Sequence, residues 1–347
     1  MFSVGHRKIG DGEKCFIIAE AGVNHNGDFT LAKKLVDIAS ASGADAIKFQ
    51  MFSAKNLVTS SAEKADYQKK NDSTSKTQLD MLKNLELSKK SFQKLSEYAK
   101  TKGIIFLSTA FDEDSIDLLT RLDVPAFKIP SGEITNFPYL ETIAQKQKPV
   151  ILSTGMSTME EVKEAVDCLR QYGCREIILL HCTTSYPAPL ESVNLKVLDT
   201  LRETFHLPVG YSDHTEGIIV PLAAVARGAC IIEKHVTLDK SLPGPDHAAS
   251  LEPGEFKEMV TGIRKIDLIL GTGEKTPHAC EKNNRAIVRR SIVASRDIPK
   301  GSSLTDAMLL LKRPGTGIEP KFFKNLIGKK TLQNIKRDTL ISWDMVE

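Results

Sequence analysis

The sequence predicts an α/β protein: a closed (β/α)8 barrel over residues 1–273, a linker at 274–289 and a small β-rich module at 290–347. Three observations predict it. Short apolar runs alternate eight times with stretches of helical period. The runs are continuous rather than alternating, as in parallel strands covered by helices. After Gly271-Thr272-Gly273 the rhythm stops, and turn residues recur at short intervals.

In order, the first strand is Phe16 to Ala19, with a loop holding Asn24, Asn26 and Gly27 and a helix from Leu31 to Ser40. Ala46 to Phe49 follows, then a polar insertion from Ser53 to Lys76 and helical stretches ending near Lys100. Ile104 to Leu107 and Ala126 to Ile129 are the third and fourth strands, with helices at Glu113 to Arg121 and Tyr139 to Ala144. Pro149 to Leu152 precedes a strong amphipathic pattern from Met159 to Arg170, and Ile177 to Leu180 precedes a helix around Val197 to Thr204. The last two strands, Leu207 to Val209 and Cys230 to Ile232, each run into a histidine motif. Their helices are Ile218 to Arg227 and Glu255 to Leu270. Eight units favour a closed barrel over an open sheet. Neither a Gly-x-Gly-x-x-Gly nor a P-loop spacing occurs, which weighs against nucleotide binding. From Arg290 the strands shorten, with turns at Pro299-Lys300-Gly301 and Pro314 to Gly317.

A net charge of +3 is too small to imply a nucleic-acid partner, although Arg285, Arg289 and Arg290 cluster locally. The six cysteines are scattered with no Cys-x-x-Cys pair, as in a reducing compartment. The N-terminal stretch to Lys14 is polar, without the apolar core of a signal peptide. No apolar run approaches a membrane span. The expectation is a cytoplasmic protein with neither membrane nor nucleic-acid partner.

In a barrel of this kind the chemistry gathers where strands end. The strand ends present Glu20; Lys48 and Gln50; Ser108 and Thr109; Lys128, Ser131 and Glu133; Ser153 and Thr154; His181, Thr183 and Tyr186; Ser212 and His214; and Glu233 and His235. Chance would leave some ends with plain turns. Two lysines among hydroxyls suit an anionic phosphate or carboxylate. A purely structural salt bridge from Lys48 to Glu20 or Glu233 is the alternative, and a Schiff-base lysine is another. His214 and His235, each beside a carboxylate, can share a divalent transition metal or can be satisfied structural histidines.

The motifs at these strand ends carry a resemblance. Phe16-Ile-Ile-Ala-Glu-Ala-Gly-Val-Asn-His-Asn-Gly27, Lys48-Phe-Gln50, Lys128-Ile-Pro-Ser-Gly-Glu133, Ser153-Thr-Gly-Met156, Ser212-Asp-His214, Glu233-Lys-His235, Gly244-Pro-Asp246 and Lys312-Arg-Pro-Gly315 occur in this order. Together they resemble the sialic acid synthase family over nearly the whole chain, and the C-terminal module resembles its antifreeze-like (SAF) domain. The resemblance implies condensation of phosphoenolpyruvate with an N-acetylated amino sugar to a nine-carbon 2-keto acid and phosphate. It implies a divalent metal on His214 and His235, typically manganese, with magnesium or cobalt as alternatives. It assigns Lys48, Lys128, Ser131, Ser153 and Ser212 to phosphoenolpyruvate, and Glu20 and Glu133 to proton handling. Gln50, Tyr186 and Asp246 would contact the sugar, as would Arg313 from the neighbouring subunit of a domain-swapped homodimer. Some members carry Asn within the segment read here as His181-Cys-Thr-Thr-Ser-Tyr-Pro187, so Thr183 and Thr184 receive no role. The insertion with Tyr67-Gln68 resembles bacterial members making N-acetylneuraminic or legionaminic acid, and the similarity favours the latter. A related synthase for sugar acids without an amino group, a Schiff-base aldolase and a carbohydrate-binding protein with an inert barrel are the competing readings.

Overall fold

The computed structural model describes residues 2–10, 12–72 and 75–347; positions 73 and 74 of the polar insertion, and the side chain of Lys70, lie outside the described residues. The chain divides into two compact units, Met1–Thr272 and Gly273–Glu347.

The first unit opens with a hairpin of β1 (Phe2–Val4) and β2 (Arg7–Ile9). Eight parallel strands follow: β3 (Phe16–Gly22), β4 (Ala46–Met51), β5 (Ile105–Ala110), β6 (Phe127–Ile129), β7 (Val150–Ser153), β8 (Ile177–Cys182), β9 (Val209–Asp213) and β10 (Ile231–His235). They pair in sequence order, and β10 returns to pair with β3, which closes the barrel. Successive side chains alternate between inside and outside. Ile18, Ala46, Leu107, Ala126, Ile151, Ile178, Leu180 and Ile231 fill the interior, and Val4 and Ile9 of the hairpin join the same cluster at the end where strands begin. The residues one position away, such as Ile17, Ile47, Phe106, Leu179 and Tyr211, belong to the outer cluster beneath the helices.

The helices are α1 (Phe29–Ser42), α2 (Ala54–Leu57), α3 (Asp66–Asn71), α4 (Gln78–Leu85), α5 (Lys89–Thr101), α6 (Glu113–Arg121), α7 (Phe137–Ala144), α8 (Met159–Gln171), α9 (Val197–Phe205), α10 (Ile219–Ala226) and α11 (Pro253–Ile269). Their sequences account for both their ends and their buried faces. In α8 the Thr158 hydroxyl accepts from the Glu161 amide, and the Glu161 carboxylate accepts from the Thr158 amide at 2.7 Å. Val162, Ala165, Val166 and Leu169 then recur on one face and are buried. The insertion after β4 supplies α2, α3 and α4; Ala54 of α2 and Met81, Leu82 and Leu85 of α4 pack with Val23, Phe52 and Phe111 in a cluster of their own.

Strand limits differ from the sequence expectation mainly at the far ends. The apolar runs place residues 212–213 and 233–235 beyond the seventh and eighth strands, yet these residues are in strand conformation and hydrogen-bonded to their neighbours. A strand lining an open cavity needs no apolar side chain there, so the apolar run stops before the ladder does.

The second unit has its own core, including Ile292, Leu304, Leu309, Ile318, Leu326 and Ile341. Its regular strands are β11 (Ser291–Ala294) and β12 (Leu309–Lys312), antiparallel, supplemented by isolated bridges and the short helix α13 (Phe323–Leu326), which follows α12 (Lys282–Val288). The polar stretch at 274–289 is therefore not extended chain throughout: its last half is a short helix, exposed along its length.

Candidate active site

The parity that fills the barrel with Ile18, Ala46, Leu107, Ala126, Ile151, Leu180 and Ile231 places Glu20, Lys48, Thr109, Lys128, Ser153, Cys182 and Glu233 inward one layer higher, joined by Ser212. These residues line a cavity of about 400 Å³ at the strand C-termini. It also takes in Gln50, Ser131, Glu133, Tyr186, His214, His235 and Asp246, so every barrel residue assigned a role from the sequence opens into one space. Arg313 lies on the second unit, exposed just after β12.

Strand register makes the charged groups neighbours. Glu20 pairs across the ladder with Lys48 on one side and His235 on the other. The Lys48 ammonium lies 2.7 Å from Glu20 and 3.7 Å from Glu233, and donates to the Thr109 hydroxyl at 3.2 Å. Lys128 donates to the Ser153 hydroxyl at 2.8 Å and lies 3.5 Å from Glu233. Glu233 also accepts from Ser212 at 2.9 Å. The sequence reading counts Glu233 among the strand ends and as a possible salt-bridge partner of Lys48, but gives it no catalytic or binding role. The structure puts it between both lysines. Its inward parity with Ile231 is the signal that could have found it.

Charge is shared unevenly. Burial alone would raise the Glu233 carboxyl, but Lys128 and Lys48 outweigh it and hold the pKa at about 2. Glu20 is pushed up by burial and by the charge of Glu233, despite its contact with Lys48. The two carboxylates compete for the same ammoniums, and Glu233, near two of them, keeps the negative charge. Burial works against the Lys48 ammonium, yet Glu20 and Glu233 raise its pKa; for Lys128 burial prevails and the pKa falls. Asp246 is pushed up to about 7 by burial and by the charge of Glu20.

The two histidine rings are 5.6 Å apart, and both are kept neutral chiefly by burial. His214 Nδ1 is 2.7 Å from the carbonyl of Thr183, which can only accept, so Nδ1 carries the proton and Nε2 keeps its lone pair. This gives Thr183 a part that the sequence does not: its carbonyl orients His214, while its hydroxyl donates to the Ser192 carbonyl. His235 Nδ1 is buried without a hydrogen-bond partner, with Asp246 3.8 Å away. Two neutral imidazoles, one with a lone pair to offer and one with an orphaned nitrogen, fit a divalent metal. Among the described residues no cluster of three or more His, Cys, Asp or Glu side chains could hold one, so water or substrate would complete the shell. Lys234, between Glu233 and His235, faces outward and is fully buried, donating to Asp213 at 2.5 Å and to the Thr215 carbonyl. It braces the loop that carries His214.

Tyr186 packs on both histidines, with ring centroids 4.2 Å from His214 and 5.7 Å from His235, and stacks on Tyr67 of α3 at 5.0 Å. Asn71, at the end of α3, donates to the Pro245 carbonyl at 2.9 Å, tying the insertion to the loop that presents Asp246. Gln50 donates to Glu20 at 3.2 Å, and Asn136 donates to Glu133 at 2.6 Å. Near the other wall the Gly155 amide donates to the Ser131 hydroxyl at 2.9 Å, which lies 3.1 Å from the Cys182 sulfur. Hydroxyls and amides, two lysines and two imidazoles thus line the same cavity.

Residues 35–275 match the model of the NeuB family, and residues 289–347 that of the SAF domain. The chain is 52% identical to N,N'-diacetyllegionaminic acid synthase of Legionella pneumophila over 99% of its length and 98% of the relative's. It is 38% identical to human N-acetylneuraminate-9-phosphate synthase, covering 98% of this chain and 95% of that one. Among solved structures, N-acetylneuraminic acid synthetase from Leptospira borgpetersenii, in complex with citrate, aligns with a TM-score of 0.72 and 38% identity, over 82% of this chain and 94% of the other. The fold, the gathered strand ends and these similarities lead to one conclusion: the chain belongs to the NeuB family.

Proposed function

We propose that this enzyme condenses phosphoenolpyruvate with an N-acetylated amino sugar, giving a nine-carbon 2-keto acid and phosphate. The 52% identity to a diacetyllegionaminic acid synthase favours 2,4-diacetamido-2,4,6-trideoxymannose over N-acetylmannosamine. The observation that carries the reading is the cavity itself, which brings together two lysines, several hydroxyls and a neutral histidine pair.

Lys48 and Lys128 neutralise the phosphate and carboxylate of phosphoenolpyruvate, while Ser131, Ser153 and Ser212 supply directed donors. Glu233 holds both ammoniums in place before the substrate arrives. Tyr186, Gln50 and Asp246 position the sugar so that its aldehyde carbon faces carbon 3 of phosphoenolpyruvate. His214 and His235 would hold the divalent metal, which we take to be manganese with magnesium or cobalt as substitutes; when bound it supplies Lewis acidity to the aldehyde. As the carbon–carbon bond forms, positive charge develops at carbon 2, which the nearby carboxylates stabilise. Glu20 and Glu133 handle the protons, one delivered to the sugar oxygen and one taken from the water that adds at carbon 2. Loss of phosphate from carbon 2 then leaves the ketone.

We further propose that the chain works as a domain-swapped homodimer in the cytoplasm. Its six scattered cysteines, with no Cys-x-x-Cys pair, agree with a reducing compartment. Among the described residues no helix is long and apolar enough to cross a membrane.

The test is to label the bridging oxygen of phosphoenolpyruvate isotopically. The label is expected in the released phosphate, because the bond from carbon 2 to that oxygen is the one that breaks. Label retained in the keto acid, or a lysine adduct trapped by borohydride as in a Schiff-base aldolase, would exclude this chemistry. Gly155 offers a second check on the anion site. A β-carbon there would meet the Thr184 hydroxyl, and would lie 2.8 Å from Ser131 Oγ and 2.9 Å from Cys182 Sγ. Gly155→Ala must therefore displace Ser131. We expect the KM for phosphoenolpyruvate to rise about tenfold, the loss of roughly one charge-assisted hydrogen bond. An unchanged KM would remove Ser131 from the anion site.

A further inference from the structure

Asn24 does not line the cavity and has no part in the chemistry above, yet its side chain is wholly buried. Its amide nitrogen donates to the Val236 carbonyl at 3.0 Å and to the Ser250 hydroxyl at 2.8 Å. Both directions are forced. A carbonyl can only accept, so the NH2 end of the amide must face Val236. Ser250 donates its one proton to the Asp246 carbonyl at 2.7 Å, so toward Asn24 it can only accept. Both amide protons are thereby in use, while the amide oxygen is buried without a hydrogen-bond partner. Leaving a buried acceptor unpaired is costly, and an apolar side chain would escape that cost. The position is therefore built around its two donors.

Those donors reach two groups that meet in the cavity. Val236 directly follows His235, and its own amide donates to the Glu20 carbonyl at 2.9 Å. The Leu251 amide donates to the His235 carbonyl at 2.9 Å, and the Thr237 amide donates to the Leu251 carbonyl at 2.9 Å. Residues 250–251 thus run beside the end of β10. The loop between them brings the Asp246 carboxylate to 3.8 Å from His235 Nδ1. We propose that Asn24 is a positioning residue for both groups: one donor fixes the backbone behind His235, and the other, relayed by Ser250, fixes that of Asp246. It touches neither metal nor substrate, and acts by holding these two side chains at one spacing. The first branch rests on the histidine pair as a metal site, the second on the sugar contact proposed for Asp246.

The experiment measures Mn2+ binding by calorimetry and the kinetics of phosphate release for Asn24→Leu and Ser250→Ala. Circular dichroism checks that each variant is folded at the assay temperature. Leucine is close to asparagine in size and removes both donors. The Mn2+ dissociation constant of Asn24→Leu is expected to rise roughly ten- to a hundredfold, the usual effect of losing a group that orients a metal ligand. Ser250→Ala breaks only the Asp246 branch. Its KM for 2,4-diacetamido-2,4,6-trideoxymannose should rise about tenfold, while its KM for phosphoenolpyruvate and its Mn2+ affinity stay near the wild-type values. A side chain that only fills space would give neither the loss of metal affinity nor the split between the two KM values. Unchanged Mn2+ binding in Asn24→Leu would overturn the assignment. So would a Ser250→Ala enzyme in which both KM values rise alike or neither moves, and this arm decides alone if Asn24→Leu does not fold. A wild type that binds Mn2+ but releases no phosphate with this sugar would sink the condensation, and the Mn2+ comparison would still judge Asn24.

Discussion

Replacing His214 or His235 by alanine is expected to lower phosphate release about a thousandfold and to strip the protein of divalent metal. The magnitude follows from removing several kcal/mol of transition-state stabilisation at about 1.4 kcal/mol per tenfold. The structure motivates it at the level of single atoms. The Thr183 carbonyl fixes the proton of His214 on Nδ1 at 2.7 Å, so the other nitrogen has a lone pair to offer. His235 leaves Nδ1 buried and unpartnered, which costs roughly 1–3 kcal/mol in a protein interior unless something binds nearby. The described residues gather no larger His, Cys, Asp or Glu cluster to take over when one imidazole is lost. The measurement pairs the rate assay with metal content by mass spectrometry on the purified variants. Variants that keep both their metal and their turnover would contradict this assignment. A chelator-treated wild type that keeps its full rate would do the same.

Much of this site is legible in the sequence, and the reason is geometric. A parallel barrel repeats one unit, so eight apolar runs announce the fold, and the first polar residues after each run mark the rim. Glu20, Lys48, Lys128, Ser153, Ser212 and His235 are found that way, and they share a cavity. What a strand-end reading blurs is direction. Ser108 sits beside Thr109 at the end of β5, but its hydroxyl donates to the Phe49 carbonyl while Thr109 faces Lys48. His181 reads as a rim residue, yet it shares the outward parity of Leu179 and meets the Val193 carbonyl at 2.7 Å. Counting two residues up from each interior position, from Ile231 to Glu233 or from Leu180 to Cys182, separates the two classes. Contacts made by loops escape altogether. Nothing in the spacing says that the Thr183 carbonyl orients His214, or that Asn71 holds the loop before Asp246. Such bonds run from side chain to backbone, and a backbone acceptor has no sequence signature.

The second large effect concerns Arg313. Alone, Arg313→Ala and His235→Ala should each be nearly inactive; mixed, they should recover activity. Arg313 directly follows β12 in the second unit, with its side chain exposed. Its planar fork of donors suits an acetamido carbonyl. We propose that it closes the sugar pocket of the partner subunit, as the resemblance of this module to the antifreeze-like domain implies. In a two-fold dimer each site would then combine one barrel with the other chain's arginine. In a mixed dimer, the barrel of the Arg313→Ala chain keeps His235 and receives an intact Arg313 from its partner. The other site carries both defects. Random exchange from equal amounts makes about half of the dimers mixed, so about a quarter of all sites should be competent. If the arginine served its own barrel instead, every site in the mixture would keep one lesion and no activity would return. A surface arginine that merely anchors its loop predicts something different again, since Arg313→Ala alone would then retain most of its rate, surface charges commonly contributing little. The three arrangements therefore separate in two measurements: the rate of the single variant, and the rate after subunit exchange.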